Sequence, residues 1–152
     1  MSTIAAQYID QLTMVKKELP KVARQILKES ENEIILLLQE TQLAKGLDAE
    51  GNLTGTYSRA TEIISLFEKP TPRKPKREGE PFNYEATGEF FDTMKLLFKD
   101  AMTYDIFTPE YKAKELNEYL PNLDLSKENN EIINQKILMP KLIEWVLSKI
   151  KL

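Results

Sequence analysis

The stretch MKLLFKDAMTYDIFT, residues 94–108, decides the fold class of this chain. Met94, Leu96 and Phe98 recur at every second position, a period that is typical of a β-strand with one buried face. A helical spacing can also be drawn through the apolar residues of this region, so periodicity alone leaves a helix open. We favour a strand over 94–99, preceded by a short helical turn.

A second strand is expected to return after this first one. Tyr104, Ile106 and Thr108 alternate in the same way, and KDAMT between the two segments is the expected turn. Pro109 ends the second strand because proline cannot donate to a central ladder. With the helical turn placed over 88–93, these segments predict a small antiparallel sheet or hairpin.

The residues before this region predict a long helix. Pro20 suits a first helical turn, and Gly46 after a basic residue is a helix-end signal, so the helix is expected over about 20–44. Residues 1–18 are expected to form an N-terminal arm, with a shorter helix or arm beginning at residue 3. The positions that follow the helical spacing are Ala23, Ile26, Leu27, Ser30, Ile34, Leu37, Leu38 and Thr41.

The C-terminal part predicts two more helical stretches. Ser126 is a good N-cap for the first, and Pro140 either opens the second or kinks one long helix. Trp145 lies in the second stretch and is a core residue or an interface anchor, core being the default. The apolar stripe there is formed by Met139, Leu142, Ile143, Val146, Leu147 and Ile150.

We therefore predict a single α+β domain spanning 1–152, in which a long N-terminal helix and C-terminal helices pack on a small antiparallel β-sheet or hairpin. KGLDAEGNLTGTYSRAT, residues 45–61, holds three of the five glycines and is expected to be a loop or hairpin turn. TEIISLF, residues 61–67, is too short to distinguish strand from helix.

The stretch EKPTPRKPKREGEP, residues 68–81, contains four prolines and five basic residues. Each proline removes a backbone donor and favours extended geometry, so an exposed arm in a polyproline-like conformation is expected. A sharper hypothesis is that this arm lies on an acidic neighbour or on nucleic acid. Its candidate contact residues are Arg73, Lys74, Lys76 and Arg77.

Composition narrows the classes of function. The net charge is −3 and the chain has no cysteine and no histidine, which removes thiol and imidazole catalysis and zinc sites built from them. The basic excess typical of nucleic-acid binding is missing, as are glycine-rich phosphate motifs and an apolar run that could span a membrane. We predict no enzyme, no catalytic residue, no cofactor, no metal, no membrane contact and no specific nucleic-acid binding.

The segment NYEATGEFFDTM, residues 83–94, places one of the five glycines directly ahead of two phenylalanines. Thr87 suits the cap of a helical turn, and Gly88 leaves room for another backbone to approach closely. Phe90 and Phe91 place large apolar area beside that tight spot. These residues are expected to pin the turn while a strand emerges from it.

Thr87, Gly88 and Phe90, with Thr93 and Met94, resemble a TG-x-[LF]-x-x-[ST/M] element of the tail-completion or neck proteins that connect head and tail in tailed phages. QLAKGLDAEGNLTGTYSRAT followed by YEATGEFF is similar in particular to a set of proteins from phages of Bacteroidetes hosts. The counterparts in this chain are Gln42, Gly46, Asp48, Gly51, Tyr57, Ser58, Thr61, Thr87, Gly88 and Phe90.

This resemblance implies a virion protein, assembled in the host cytoplasm, that forms a homo-oligomeric ring and contacts neighbouring portal, neck or tail proteins. Ring subunits need head-to-tail contacts that close, and the segments 1–18 and 68–81 are natural candidates for arms across neighbours. The interface candidates are Thr87, Gly88, Phe90, Phe91, Arg73, Lys74, Lys76, Arg77 and Trp145.

Two other classes stay open. A small phage or bacterial intracellular regulator or inhibitor, acting by protein–protein binding, fits the composition equally well. An enzyme with a carboxylate-only metal site ranks below both, because no spaced set of ligands is present in the sequence.

Overall fold

The computed structural model describes residues 3–69, 71–84, 89–100, 103–108 and 124–150. The described elements confirm the predicted α+β class, with a long N-terminal helix, C-terminal helices and a two-stranded antiparallel sheet. In chain order they are α1 (Ile4–Glu29), α2 (Glu31–Thr41), a 3₁₀ turn (Leu43–Lys45), α3 (Arg59–Ser65), α4 (Glu89–Asp92), β1 (Lys95–Phe98), β2 (Tyr104–Phe107), α5 (Lys127–Ile132), a π-helical segment (Ile133–Leu138) and α6 (Met139–Lys149).

The first helix is longer than the sequence predicted. Thr3 caps it by accepting the Ala6 N–H at 3.2 Å, and the helix then runs through Pro20 to Glu29. The predicted boundary near residue 20 is therefore wrong, and residues 4–18 form the first half of the long helix instead of a separate arm. Proline removes one helical hydrogen bond, but the turns after it are held by buried apolar side chains.

The single helix predicted over about 20–44 is divided at Ser30, which the sequence did not indicate. Ser30 is buried, and its hydroxyl accepts a hydrogen bond from Lys141 Nζ at 3.0 Å. α2 then ends at Thr41. Gly46 follows the 3₁₀ turn with a φ of 70°, which confirms its predicted place at a helix end.

The hairpin forms where the alternation placed it. Leu96 pairs with Ile106 and both are buried, whereas the neighbouring pair of Lys95 and Phe107 is exposed. The Leu96 N–H donates to Glu31 Oε2 at 2.9 Å, which joins the edge of β1 to the start of α2. One face of the sheet therefore lies on the core and the other faces solvent.

The C-terminal helices follow one continuous helical path. Ser126 caps α5 as predicted, accepting the Asn129 N–H at 3.2 Å. Pro140 lies in the first turn of α6, directly after the π-helical segment. Because proline has no N–H, the carbonyl four residues before it cannot receive the usual α-helical bond, and a local i→i+5 pattern accommodates such a gap. Pro140 thus opens α6 within a longer helical path.

The core lies between the second half of α1, α2, the inner face of the hairpin and the C-terminal helices. Its fully covered side chains include Ile34, Leu38 and Leu43. Arg24 and Lys28 of α1 lie over the ring of Phe98, 5.5 and 5.7 Å from its centroid, and hold β1 against α1. The buried apolar residues of this cluster are Ala23, Ile26, Leu27, Ile34, Ile35, Leu38, Leu43, Phe90, Phe91, Met94, Leu96, Ile106, Leu125, Ile133, Ile137, Leu138 and Leu142.

The segment 61–67, which the sequence left undecided, is mostly helical. α3 begins after Ser58, whose side chain accepts the Thr61 N–H at 3.2 Å. The cap satisfies one of the unpaired N–H groups of the first turn, which helps so short a helix to form. The apolar residues of this segment face outward, as described below.

Candidate functional site

Gln42, the first residue of the stretch QLAKGLDAEGNLTGTYSRAT (42–61), connects the end of α2 to the start of the C-terminal helices. Gln42 is buried at the end of α2, and its Nε2 donates to the Asp124 carbonyl at 2.7 Å. Its Oε1 accepts the Ser126 N–H at 3.0 Å and Asn129 Nδ2 at 3.2 Å. Asn129 in turn accepts the Thr41 hydroxyl at 2.9 Å. This polar cluster fixes the start of α5 against the end of α2.

The glycine-rich loop after it is built around Asp48. Asp48 Oδ1 accepts the backbone N–H groups of Glu50 at 3.0 Å and Asn52 at 2.8 Å, in the manner of an Asx turn. Gly51 between them has a φ of 81°, in the left-handed region. The Asp48 carboxylate therefore stabilises a polar turn in the described structure.

Tyr57 ties this loop to the segment that leads into the sheet. Its hydroxyl donates to Asn83 Oδ1 at 3.1 Å and accepts the Asn83 N–H at 3.0 Å. A run of aromatic rings continues from Tyr57 to Phe82, Tyr84 and Phe90, with centroids 5.0, 6.2 and 6.5 Å apart in turn. The stretches 42–61 and 83–94 therefore meet through one buried polar contact, between Tyr57 and Asn83, and through a row of aromatic rings.

Of the four predicted interface residues around the TG element, the structure describes Phe90 and Phe91. Thr87 and Gly88 lie outside the described residues. Phe90 and Phe91 are 7% and 9% exposed and belong to the core, so their side chains pack within this chain and are not presented to a neighbour. Trp145 is half-buried on α6, between the core and the surface.

The segment predicted as an arm over 68–81 is largely exposed in its described residues, but it is bound to its own chain. The Gly79 N–H donates to the Tyr57 carbonyl at 2.9 Å, and the Tyr57 N–H donates to the Glu80 carbonyl at 3.0 Å. These bonds pair the end of the segment with the loop before α3. The segment was expected to be an exposed arm or linker, and its described residues are largely exposed, but this end is hydrogen-bonded to the folded body.

Two of the four cations named in that segment form ion pairs within the chain. Arg73 Nη2 lies 3.2 Å from Asp92 Oδ2, and Lys76 Nζ lies 3.2 Å from Glu68 Oε2. The Arg73–Asp92 pair is exposed and contributes little to stability, whereas the Lys76 side chain is only 15% exposed. Both pairs orient the segment, and they partly neutralise the positive charges of Arg73 and Lys76 that a partner would otherwise contact.

Lys74 and Arg77 are exposed. Lys74 lines an open cleft of about 420 Å³ together with Lys45, Glu80 and Asn83. Arg77 makes no ion pair with another described residue. Contact of these two cations with an acidic neighbour or with nucleic acid stays a prediction.

The first half of α1 carries an apolar stripe that the sequence reading missed. Ile4, Leu12 and Leu19 are 70%, 50% and 36% exposed, and Tyr8 lies on the same face. The signal for it was present as a four–three spacing from Tyr8 through Val15 to Leu19, which is typical of a helix that packs along one face. The supposed helix boundary near residue 20 obscured it.

A second exposed apolar surface surrounds the end of α3. Ile63, Ile64, Leu66 and Phe67 are 49%, 63%, 74% and 79% exposed. Four large apolar side chains so close together in the chain are unusual on a protein surface that meets only water. The sequence signal was a short apolar run beside a proline-rich stretch, which does not reveal the direction of its side chains.

Tyr104 gives a prediction about alkaline pH. Burial, and secondarily the Asp124 carboxylate, raises the pKa of Tyr104 to about 12 from the ordinary 10.0. A raised pKa favours the neutral phenol in the folded state, so its stabilisation is complete below pH 10 and is lost as the pH rises towards 12. We expect the Tyr104→Phe variant to lose less unfolding free energy than wild type across this interval, by about 1–2 kcal/mol after solvent screening.

The measurement is denaturant unfolding at a series of pH values through this interval, followed by circular dichroism. Burial also raises the pKa of Tyr57 and of Tyr84. These two tyrosines contribute equally to both proteins, so the difference isolates Tyr104. An equal loss in wild type and variant would show that burial of the Tyr104 hydroxyl is not a source of alkaline sensitivity.

Three searches bear on identity and chemistry. Within the described residues, no group of three or more histidine, cysteine, aspartate or glutamate side chains is arranged to hold a metal ion. No helix in the described part of the chain has both the length and the apolar character needed to cross a membrane. No protein-family model, curated protein or solved structure matches this sequence.

Proposed function

We propose that this protein is a structural component of a tailed-phage virion that forms a homo-oligomeric ring at the neck or tail, at the head–tail connection or in tail completion. Its partners would be further copies of itself and the neighbouring portal, neck or tail proteins, and it would act in the virion after assembly in the host cytoplasm. The proposal assigns it no enzymatic activity and no specific nucleic-acid binding. It is supported by the resemblance of the two sequence blocks and by one structural observation.

That observation is the apolar stripe on the first half of α1, in which Val15 is buried but Ile4, Leu12 and Leu19 are left exposed. Lys141 at the start of α6 contacts Ser30 at the end of α1, so the two helices lie together from that end. α6 has 11 residues and α1 has 26, which correspond to lengths of about 16 and 39 Å. α6 is therefore too short to reach the first turns of α1, where Ile4 and Leu12 are exposed.

An apolar helix face without a cover favours association with another apolar surface, because burial removes that area from water. Subunits of a closed ring use two different surfaces for each contact, so every copy presents one and receives the other. A projecting helix suits this task, since it can lie across the body of the next copy. The stripe thus favours an assembly protein over a protein that acts alone.

The test measures the mass of the purified chain by light scattering and sedimentation, with Leu12→Glu as the disrupting variant. We expect wild type to form a high-order assembly and Leu12→Glu to shift it to small species at the same concentration, because a carboxylate in the stripe must be desolvated on contact. Lys17→Glu is the matched control, since it places the same group on the opposite face of α1. It should leave assembly unchanged.

A second arm of the test asks whether the protein is present in purified phage particles. A wild-type chain that stays monomeric at high concentration and is missing from particles would contradict the proposal. Tight one-to-one binding of that monomer to a host protein would instead support the intracellular regulator. Circular dichroism of each variant confirms that a loss of assembly is not a loss of folding.

A further inference from the structure

The surface around the end of α3 combines apolar area with positive charge. We call Arg59, Ile63, Ile64, Phe67 and Lys69 the α3 face. Its three apolar side chains are between 49% and 79% exposed, and both cations are exposed. An exposed apolar cluster with charges at its rim has the make-up of a protein–protein contact.

Two acidic residues near this face, Glu62 and Glu68, are directed towards the chain itself. Glu62 Oε2 accepts the Glu78 N–H at 2.9 Å, and Glu68 pairs with Lys76 at 3.2 Å. Arg59 and Lys69 make no ion pair with another described residue. The α3 face therefore presents positive charge outward, although the chain as a whole is acidic.

A surface of opposite character lies on α2. Glu33, Leu36 and Glu40 follow each other at i, i+3 and i+7 and so share one side of the helix; we call them the α2 face. All three are exposed, and Leu36 is 51% exposed. α2 contains three acidic residues and no basic one. Its opposite side is buried in the core, which fixes the direction of this face.

We propose that the α2 face of one copy docks on the α3 face of a second copy, with Leu36 seated among the apolar side chains. Glu33 and Glu40 lie seven residues apart, a rise of about 10 Å, so they can flank the apolar centre and meet Arg59 and Lys69. The charged residues of the α2 face are both negative and those of the α3 face are both positive, so the two faces are complementary. This contact rests on the proposed function, and it adds a pair of complementary surfaces to the head-to-tail interface, beside the apolar stripe on α1.

Charge reversal tests the pairing directly. We expect Glu33→Lys with Glu40→Lys to weaken self-association at least about tenfold, because two attractive pairs become repulsive at once. Arg59→Glu with Lys69→Glu should weaken it similarly. A chain carrying all four substitutions should regain most of the association, since the signs are exchanged on both faces. Sedimentation velocity at low and high salt measures each constant, and added salt should weaken the wild-type contact.

The control variant is Glu131→Lys with Glu144→Lys, which makes the same change of net charge at exposed positions on α5 and α6. It should associate as wild type does. Thermal unfolding of every variant, followed by circular dichroism, establishes that the fold is retained.

Each outcome separates this inference from the proposed function. Wild-type assembly that none of the reversals weakens, or that the four substitutions fail to restore, overturns the docking of these two faces and leaves the ring proposal standing. A wild type that stays monomeric at high concentration overturns the docking, and if it is also missing from phage particles it overturns the ring proposal as well. Pelleting of that monomer with vesicles of anionic lipid would show that the α3 face binds a membrane surface instead of a second copy.

Discussion

Gly46→Ala is expected to destabilise the fold by about 3 kcal/mol. Gly46 has a φ of 70°, and a β-carbon there would lie 2.5 Å from the Phe82 carbonyl oxygen and 3.0 Å from Pro81 Cβ. The left-handed conformation costs alanine about 1–2 kcal/mol. The contact adds to this cost because its nearest atom belongs to the backbone, which cannot rotate away. The loop from 46 to 57 and the segment ending at Phe82 would have to move apart.

Gly51→Ala is the matched control. Gly51 has a similar φ of 81°, but an added β-carbon would meet nothing within 4 Å. It should lose only about 1 kcal/mol, the conformational part of the effect. Denaturant unfolding of the two variants and wild type gives the difference. Equal losses at both positions would mean that the close approach of Phe82 to Gly46 does not constrain the fold.

Gln42→Ala is expected to cost a similar amount, about 3 kcal/mol, for a different reason. The substitution removes three hydrogen bonds of 2.7–3.2 Å and leaves the Asp124 carbonyl, the Ser126 N–H and the Asn129 amide without that partner. A buried polar group that loses its partner costs about 1–3 kcal/mol. Since Gln42 and Asn129 are 87 positions apart in the chain, the loss should loosen α5 from α2.

Gln135→Ala is the control for this prediction, since Gln135 is exposed on the π-helical segment. Its unfolding free energy should stay within about 0.5 kcal/mol of wild type. Hydrogen exchange adds a local measurement, because the amides of α5 should exchange faster in Gln42→Ala than in the control. Unchanged exchange in α5 would contradict the role of Gln42 as the link between the two helical parts.

The structural roles of Gly46 and Gln42 bear on the proposed resemblance to phage neck proteins. Gln42, Gly46, Asp48, Gly51 and Tyr57 all belong to the stretch 42–61, on which the proposed resemblance depends, and each has a structural role in the described residues. These residues specify how the loop is built and joined to the core. We propose that other molecules are met instead by the exposed faces of α1, α2 and α3, of which only the start of α3 lies within that stretch.

Several features were predictable because their causes act within a few residues. Ser126 caps a helix through a bond to a neighbour three positions on, and the alternation of Leu96 with exposed residues requires only a strand beside a core. The predicted helix start near Pro20 was wrong, because a helix that contains a proline persists when packing stabilises the turns on either side of it. Such packing is not visible in a local pattern.

The amino-acid sequence by itself predicted the α+β class, the cap of α5 and the glycine that follows the 3₁₀ turn, and it favoured the two strands, because these depend on spacing and local hydrogen bonds. Only the tertiary structure decided that α1 continues from Ile4 to Glu29, that Phe90 and Phe91 are core residues, and that Phe67 faces outward. Whether an apolar side chain is covered depends on residues far away in the chain. That information exists only once the chain has folded.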